Sequence, residues 1–275
     1  MSAELTAADA YCRALATGHY ENFSVASRFV DAQKRRDLQR IYAYCRTTDD
    51  LGDESPPGTA LARLERWREE VEALFSGIPP IHPVLAALHP TVRAHEIPAR
   101  PFLDLIAANV ADQTTSEYRT WEELDGYCRL SAAPVGRMVL RVFGVTGERA
   151  ERLSDDVCIG LQLANHAQDV SRDAKIGRRY LVATALAEGG VCGAVRAMVE
   201  RARSLLGSGV ELEGLVGGPL RLQLSLYRTG GLAICDAIEA MGYDTEYERP
   251  SVSAATKVSL LLHAALGTFS RGRPV

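Results

Sequence analysis

The sequence predicts an all-α protein, a single domain over residues 1–275. Three observations carry this. Apolar residues recur three and four apart through most of the chain, as in Leu61, Leu64, Trp67, Val71, Leu74 and Phe75. No stretch sustains the apolar–polar alternation of a half-buried strand. Proline and glycine cluster between the periodic segments, so the chain reads as about ten or more helices joined by short breaks.

In order, Leu5 to Ala16 is a short first helix. Glu21 to Ser27 is a polar turn, with Ser27 able to cap the next helix. Asp37 to Asp53 is a helix ended by Pro56-Pro57-Gly58. Leu61 to Phe75 comes after it. Pro79, Pro80 and Pro83 then precede Val84 to Leu88, and Pro98 and Pro101 precede Phe102 to Val110. Asp112 to Thr120 is polar and reads as a loop before the helix Trp121 to Leu130. Ser131-Ala132-Ala133-Pro134-Val135-Gly136 interrupts a pattern that continues to Phe143, which predicts a kink.

Arg149 to Asp173 reads as one helix, followed by Ala183 to Glu188 and Gly193 to Leu206. Gly207 to Gly218 is glycine-rich and loop-like. Pro219 to Met241 is a long amphipathic helix in which Gly230-Gly231 marks a close approach or a bend. Asp244 to Pro250 is a polar break, and Ser253 to Phe269 a last helix.

Composition excludes several classes. The chain is 47% hydrophobic and 24% charged with a net charge of −4, so bulk charge offers nothing to nucleic acid. The six cysteines include no CxxC pair and fall mostly in apolar helical runs, as expected of buried thiols in a reducing cytoplasm. The N-terminus lacks a basic-then-apolar leader. No apolar run reaches the roughly 18 residues of a membrane span, the longest being broken by His263 and Gly267. The expected location is the cytoplasm, with peripheral contact at the inner face of the plasma membrane left open.

Two acidic clusters stand out. In Asp49-Asp50-Leu51-Gly52-Asp53-Glu54, Asp49 and Asp53 share a helical face and Asp50 and Glu54 pair beside them. Like charges at that spacing repel unless a cation lies between them. Carboxylate oxygens suit Mg²⁺, which typically binds one or two carboxylates plus substrate phosphates. The alternative is a solvated acidic helix end. In the second cluster, Asn165, Asp169 and Asp173 stand at i, i+4 and i+8, and Gly177-Arg178-Arg179-Tyr180-Leu181 adds positive charge and a phenol. Two such stripes facing each other would hold several Mg²⁺ ions around one diphosphate.

These motifs resemble those of the squalene/phytoene synthases, the head-to-head trans-isoprenyl diphosphate synthases. The resemblance lies in Tyr44 to Glu54, in Tyr127-Cys128-Arg129-Leu130-Ser131-Ala132-Ala133-Pro134-Val135-Gly136, in Asn165 to Asp173 and in Gly177 to Leu181, in that order, over roughly residues 19 to 181. Within the family, His19 to Phe23 followed by Val25 to Ser27, and Gln168-Asp169, are similar to the hydroxysqualene synthase branch of bacterial hopanoid synthesis, in which Pro often stands at the position of Ser24. Gln168 stands where relatives making phytoene or squalene more often carry Arg. Ala167 is small where a bulky aromatic is common.

The resemblance implies an isoprenoid synthase fold, a helical bundle around a central apolar cavity, acting on a prenyl diphosphate. In the hydroxysqualene branch that substrate is presqualene diphosphate, and farnesyl diphosphate is the alternative. It implies two or three Mg²⁺ ions, with Asp49, Asp50, Asp53 and Glu54 as one set of ligands and Asn165, Asp169 and Asp173 as the other. Arg46, Arg178 and Arg36 would bind the diphosphate, because forked donors match phosphate oxygens. Tyr180 would donate to the leaving group, and Ser24 and Ser27 would cap a helix N-terminus aimed at it. Tyr42 and Tyr127 are core residues or cavity lining, and His166 is either packed or functional. Water capture needs no NADPH, whereas a squalene synthase would.

Two other readings stay open. One is a sister activity giving presqualene diphosphate, squalene, dehydrosqualene or phytoene. The other is a non-catalytic helical interaction protein, against which the intact acidic clusters argue.

Overall fold

The computed structural model describes residues 3–18 and 30–265, and these form thirteen helices with no strand among them. The predicted caps Ser24 and Ser27 lie outside the described residues. The helices fall into two compact units, residues 1–114 with 134–146, and residues 115–133 with 147–275.

The first unit contains α1 (Ala3–Gly18), α2 (Ala32–Asp53), α3 (Ala60–Phe75), α4 (Pro83–Ala94), α5 (Arg100–Asp112) and α7 (Ala133–Val142). Helix α2 begins five residues before the expected Asp37, because the Asp31 carboxylate caps it, accepting from the amides of Gln33 at 3.0 Å and Lys34 at 2.9 Å. Its inner face buries Leu38, Ile41 and Tyr44. Tyr44 is fully buried with its polar end satisfied, since its hydroxyl donates to the Phe102 carbonyl at 2.9 Å. Its ring stacks on Trp67 and meets Phe102 edge-on. The Trp67 indole N–H donates to Thr48 Oγ1 at 2.9 Å, which ties α3 to the last turns of α2. Helix α4 runs past Leu88 and through Pro90, farther than its proline pattern implies. The burial of Thr91 and Val92 outweighs the backbone bond lost at the proline.

The second unit contains α6 (Trp121–Ser131), α8 (Glu148–Gln168), α9 (Val170–Lys175), α10 (Ala183–Gly207), α11 (Gly209–Leu215), α12 (Gly218–Ala240) and α13 (Ala254–Ala265). Helix α8 is its axis, packed against α6, α10, α11 and α12. Close approach depends on glycines, Gly160 and Gly231 among them. A Cβ at Gly160 would stand 3.1 Å from the Ala202 carbonyl oxygen of α10, and one at Gly231 would stand 2.8 Å from the Leu161 side chain of α8. Gly231 is thus a contact point rather than a bend.

Three expectations change. The run Arg149 to Asp173 is not one helix: α8 stops at Gln168, Asp169 has φ −99° and ψ 14°, and α9 resumes at Val170. The i, i+4 register survives the break, because the Asp169 amide donates to the Asn165 carbonyl and the Asp173 amide to the Asp169 carbonyl, both at 2.8 Å. The glycine-rich stretch 207–218 holds a helix, α11, because Leu212 is buried and Glu213 accepts from Arg228 Nε at 2.6 Å in a buried ion pair. The predicted kink at residues 131–136 is a break between α6 and α7 at Ala132. The interruption between Glu188 and Gly193 does occur, as non-helical backbone at Gly190 inside α10.

Candidate active site

The first cluster closes α2. Asp49, Asp50 and Asp53 lie in its last two turns and Glu54 is its C-cap residue. Arg46, one turn earlier, contacts two of the four carboxylates. Its Nη2 lies 2.6 Å from Asp50 Oδ1 and 2.7 Å from Glu54 Oε1. Only the Glu54 contact has hydrogen-bond alignment. Asp49 keeps a like charge, Asp53, one turn away on its own face. Asn109 of α5 donates from Nδ2 to Asp49 Oδ1 at 3.1 Å, and Gln113 donates to the Gly52 carbonyl at 3.2 Å. Gly52 makes this possible, since a Cβ there would stand 2.6 Å from the Asn109 amide oxygen.

Burial and the neighbouring Asp53 raise the Asp49 pKa from 3.8 to about 6, against the Asn109 hydrogen bond that lowers it. The side chain is exposed to solvent although protein crowds it. Water therefore screens the shift. A folded-state pKa above the unfolded one contributes stability that is full below about 3.8 and lost as pH rises through about 6. With divalent metal chelated, Asp49→Asn is therefore expected to melt above the wild type near pH 8 and level with it near pH 3.5. Equal melting temperatures at both values would contradict the assignment.

Tyr42 lies in the same helix, half-buried, with its phenol pKa raised by burial. Arg36 is in the first turns of α2 and donates to Gln33. Thirteen residues at 1.5 Å each put it about 20 Å along the axis from Asp49, so α2 does not bring it to the carboxylates.

The second cluster lies at the α8–α9 break. Asp169 is paired with Arg249, whose Nε bonds one carboxylate oxygen and whose Nη2 lies 3.4 Å from the other. Asp173 lies in α9 and lines a cavity of about 570 Å³ together with His166, Arg178, Tyr180 and Glu246. Asp169 and Asp173 therefore share a register without sharing surroundings.

Beneath Asp173 is an aromatic cluster. The His166 ring stacks on Tyr180 with centroids 3.7 Å apart, Tyr118 stacks on the same ring at 5.9 Å, and the Tyr127 and Tyr180 hydroxyls are 3.5 Å apart. Burial pushes the His166 pKa down from 6.5 to about 3, so the imidazole is neutral. Its Nδ1 lies 4.0 Å from Asp173 Oδ2, too far and too neutral for an ion pair. The Gln162 amide nitrogen, 3.2 Å from Nε2, can donate there, which assigns the proton to Nδ1 on the Asp173 side. Tyr180 thus lines the cavity with His166 stacked on its ring, and Tyr127 is a buried core residue against Tyr180, outside the lining.

Sequence reasoning missed Asn109, Gln113, Tyr118 and Arg249. Asn109 left a trace as a lone amide in an apolar helical run, whereas Arg249 lay inside a segment read only as a polar break.

Among the described residues no three His, Cys, Asp or Glu side chains converge as a closed metal cage. The donor set still fits Mg²⁺, which binds few protein carboxylates and completes its octahedron with water and phosphate. The like-charged neighbours Asp49 and Asp53 are the specific sign, since a cation beside them would relieve the repulsion that adds to burial in raising the Asp49 pKa.

A family model described as squalene/phytoene synthase matches residues 16–256. A crystal structure of squalene synthase HpnC from Alicyclobacillus acidocaldarius superposes with a TM-score of 0.83 at 42% identity, covering 88% of this chain and 97% of that one. Phytoene synthase of Arthrospira platensis is 31% identical over 97% of this chain and 96% of its own length. A dehydrosqualene synthase crystallised with a ligand shares the fold, with a TM-score of 0.85 at 21% identity over 98% of this chain and 99% of that one. The chain belongs to the squalene/phytoene synthase family.

Proposed function

We propose that this protein ionises presqualene diphosphate in the presence of Mg²⁺ and captures the rearranged carbocation with water. The products are hydroxysqualene, diphosphate and a proton. The C–O bond to diphosphate breaks with both electrons leaving on oxygen, and one water supplies the new hydroxyl. No electron is transferred to or from the substrate, so NADPH is not required. The observation that carries this reading is the likeness to squalene synthase HpnC, 42% identical over 97% of that chain.

Bound Mg²⁺ supplies Lewis acidity and neutralises the leaving charge. On this reading Asp49 and Asp53, with Asp50 and Glu54 beside them, hold metal in the first unit, and Asn165, Asp169 and Asp173 hold it in the second. Asn109 orients Asp49 for this role. Arg178, on the cavity wall, grips phosphate oxygen. Tyr180 donates its proton toward the leaving group, aligned by the stacked rings of His166 and Tyr118. Neutral His166 adds no positive charge that would oppose the substrate's carbocation. No helix among the described residues is long and apolar enough to cross a membrane. We place the protein in the cytoplasm, with peripheral contact delivering a C30 product to the inner face of the plasma membrane.

A second reading is favoured by the phytoene synthase of Arthrospira platensis, similar along 97% of this chain. It makes the protein a head-to-head condensing enzyme of farnesyl or geranylgeranyl diphosphate.

The test is a product assay with Mg²⁺ and presqualene, farnesyl or geranylgeranyl diphosphate, each with and without NADPH, read by mass spectrometry. A C30 alcohol from presqualene diphosphate, indifferent to NADPH, is the expected result. Presqualene diphosphate or a hydrocarbon from farnesyl diphosphate, or phytoene from geranylgeranyl diphosphate, would replace it with the second reading.

A further inference from the structure

The segment between α12 and α13 is a strap pinned at two points to the α8–α9 break. The Ser171 amide donates to the Thr245 carbonyl at 3.2 Å, and the Gln168 side-chain amide donates to the Pro250 carbonyl at 2.7 Å. Thr245, Pro250 and Gln168 are buried. Between these anchors Arg249 reaches back over the break. Its guanidinium contacts both Asp169 oxygens, and its Nη2 also donates to Gln168 Oε1 at 3.0 Å. Gln168 thus accepts from Arg249 with one end and ties down the strap with the other. A guanidinium at position 168 would have no acceptor to offer. The backbone around Arg249 is held, while its side chain is 44% exposed against 19% for Asp169. The guanidinium can leave Asp169 by rotating its own bonds, with no movement of the strap.

We propose that Arg249 is a latch on Asp169, closed in the empty protein and opened by the diphosphate. This inference rests on the reading of Asp169 as a metal ligand. A forked guanidinium across both carboxylate oxygens occupies the lone pairs that a cation would use. Mg²⁺ demands direct contact with oxygen near 2.0–2.1 Å, so it must displace the guanidinium and meet its repulsion. A diphosphate offers the guanidinium a better acceptor of the same geometry. When diphosphate arrives, Arg249 transfers to it and Asp169 becomes available to the metal. Metal and diphosphate then bind cooperatively, and the coupling is reciprocal by linkage. The device keeps the Asp169 site from filling with metal that carries no substrate.

Calorimetry of the whole protein tests this with Mg²⁺ alone, then with inorganic pyrophosphate at saturating Mg²⁺. Arg249→Gln is expected to bind Mg²⁺ alone about two- to fivefold more tightly, the scale of releasing a partly exposed ion pair. It should bind Mg²⁺-pyrophosphate about tenfold more weakly, for loss of charge-assisted bonds. Arg249→Lys, a point charge without the fork, should fall between. In an Asp169→Asn background Arg249→Gln should leave Mg²⁺ affinity unchanged, which confines the effect to this pair. Unchanged or weaker Mg²⁺ binding in Arg249→Gln, together with a lower Tm, would make Arg249 a structural tie and overturn the latch. Absence of Mg²⁺-dependent pyrophosphate binding in the wild type would overturn the metal-site reading itself, and it would show before any substitution is made.

Discussion

Asp169→Ala and Asp50→Ala are each expected to lower kcat by about 10³-fold or more while leaving the helical fold intact. Ionising a prenyl diphosphate separates charge in an apolar environment. Removing one carboxylate that holds the neutralising cation costs several kcal/mol of transition-state stabilisation, and each 1.36 kcal/mol is a factor of about ten. The fold should tolerate both changes. The Asp169 side chain makes no capping bond to α9, and the backbone bonds that carry the register through the break do not use it. Its pair with Arg249 is partly exposed, worth about 1 kcal/mol or less. Asp50 loses only a partly exposed contact with Arg46. Steady-state kinetics beside circular dichroism and thermal melts make the comparison. A kcat within about threefold of wild type in either variant would remove that carboxylate from the metal site.

The largest stability effect is expected far from that chemistry, at Arg40. Its guanidinium is 4% exposed and bridges two helices to its own. Nε and Nη2 bond the Asp9 carboxylate of α1 at 2.8 and 3.0 Å, and Nη1 reaches Asp37 Oδ1 at 3.1 Å and Thr91 Oγ1 of α4 at 3.0 Å. Burial alone would raise the Asp37 pKa, but hydrogen bonds from Thr91, His95 and Gln33 outweigh it and hold the carboxyl below its usual value. Arg40→Met fills similar volume yet takes the guanidinium from two buried carboxylates, leaving Asp37 its bonds from Thr91, His95 and Gln33 and Asp9 without its Arg40 bonds. Breaking such a pair from one side costs about 3–5 kcal/mol, or roughly 6–20 °C in Tm at this size. The sign with pH comes from Asp37. A depressed folded pKa gives stability that is present above the unfolded value of 3.8 and lost as pH falls through the folded one. Without Arg40 the buried Asp37 carboxylate has lost a neighbouring cation, and protonation relieves that loss, so the deficit of Arg40→Met should shrink in acid. Urea melts at about pH 7 and about pH 3.5 measure it, and a loss under about 1 kcal/mol at neutral pH would show that the network is dispensable.

Much of this site was legible from spacing. Asp49 and Asp53 share a face because the helix period puts them there, and α2 does run through Asp53. Asn165, Asp169 and Asp173 were readable as one register, which the backbone bonds preserve. What the period could not show was that the helix breaks at Asp169 and that a strap eighty residues later supplies its counter-ion. Arg249 has no local pattern that points to Asp169.

Local order along the chain was enough for the all-α class, most helix boundaries to within a few residues, the two carboxylate clusters and the family resemblance, because these are properties of neighbours in sequence. Packing settled how each charge is met. Arg46 reaches Asp50 and Glu54, Asn109 holds Asp49, Arg249 covers Asp169, and burial makes His166 a neutral partner of Tyr180. Packing also made a helix of the glycine-rich stretch 209–215, where the buried Glu213–Arg228 pair outweighs poor local propensity. Ion pairs and burial depend on residues far apart in the chain, and no local pattern records those distances.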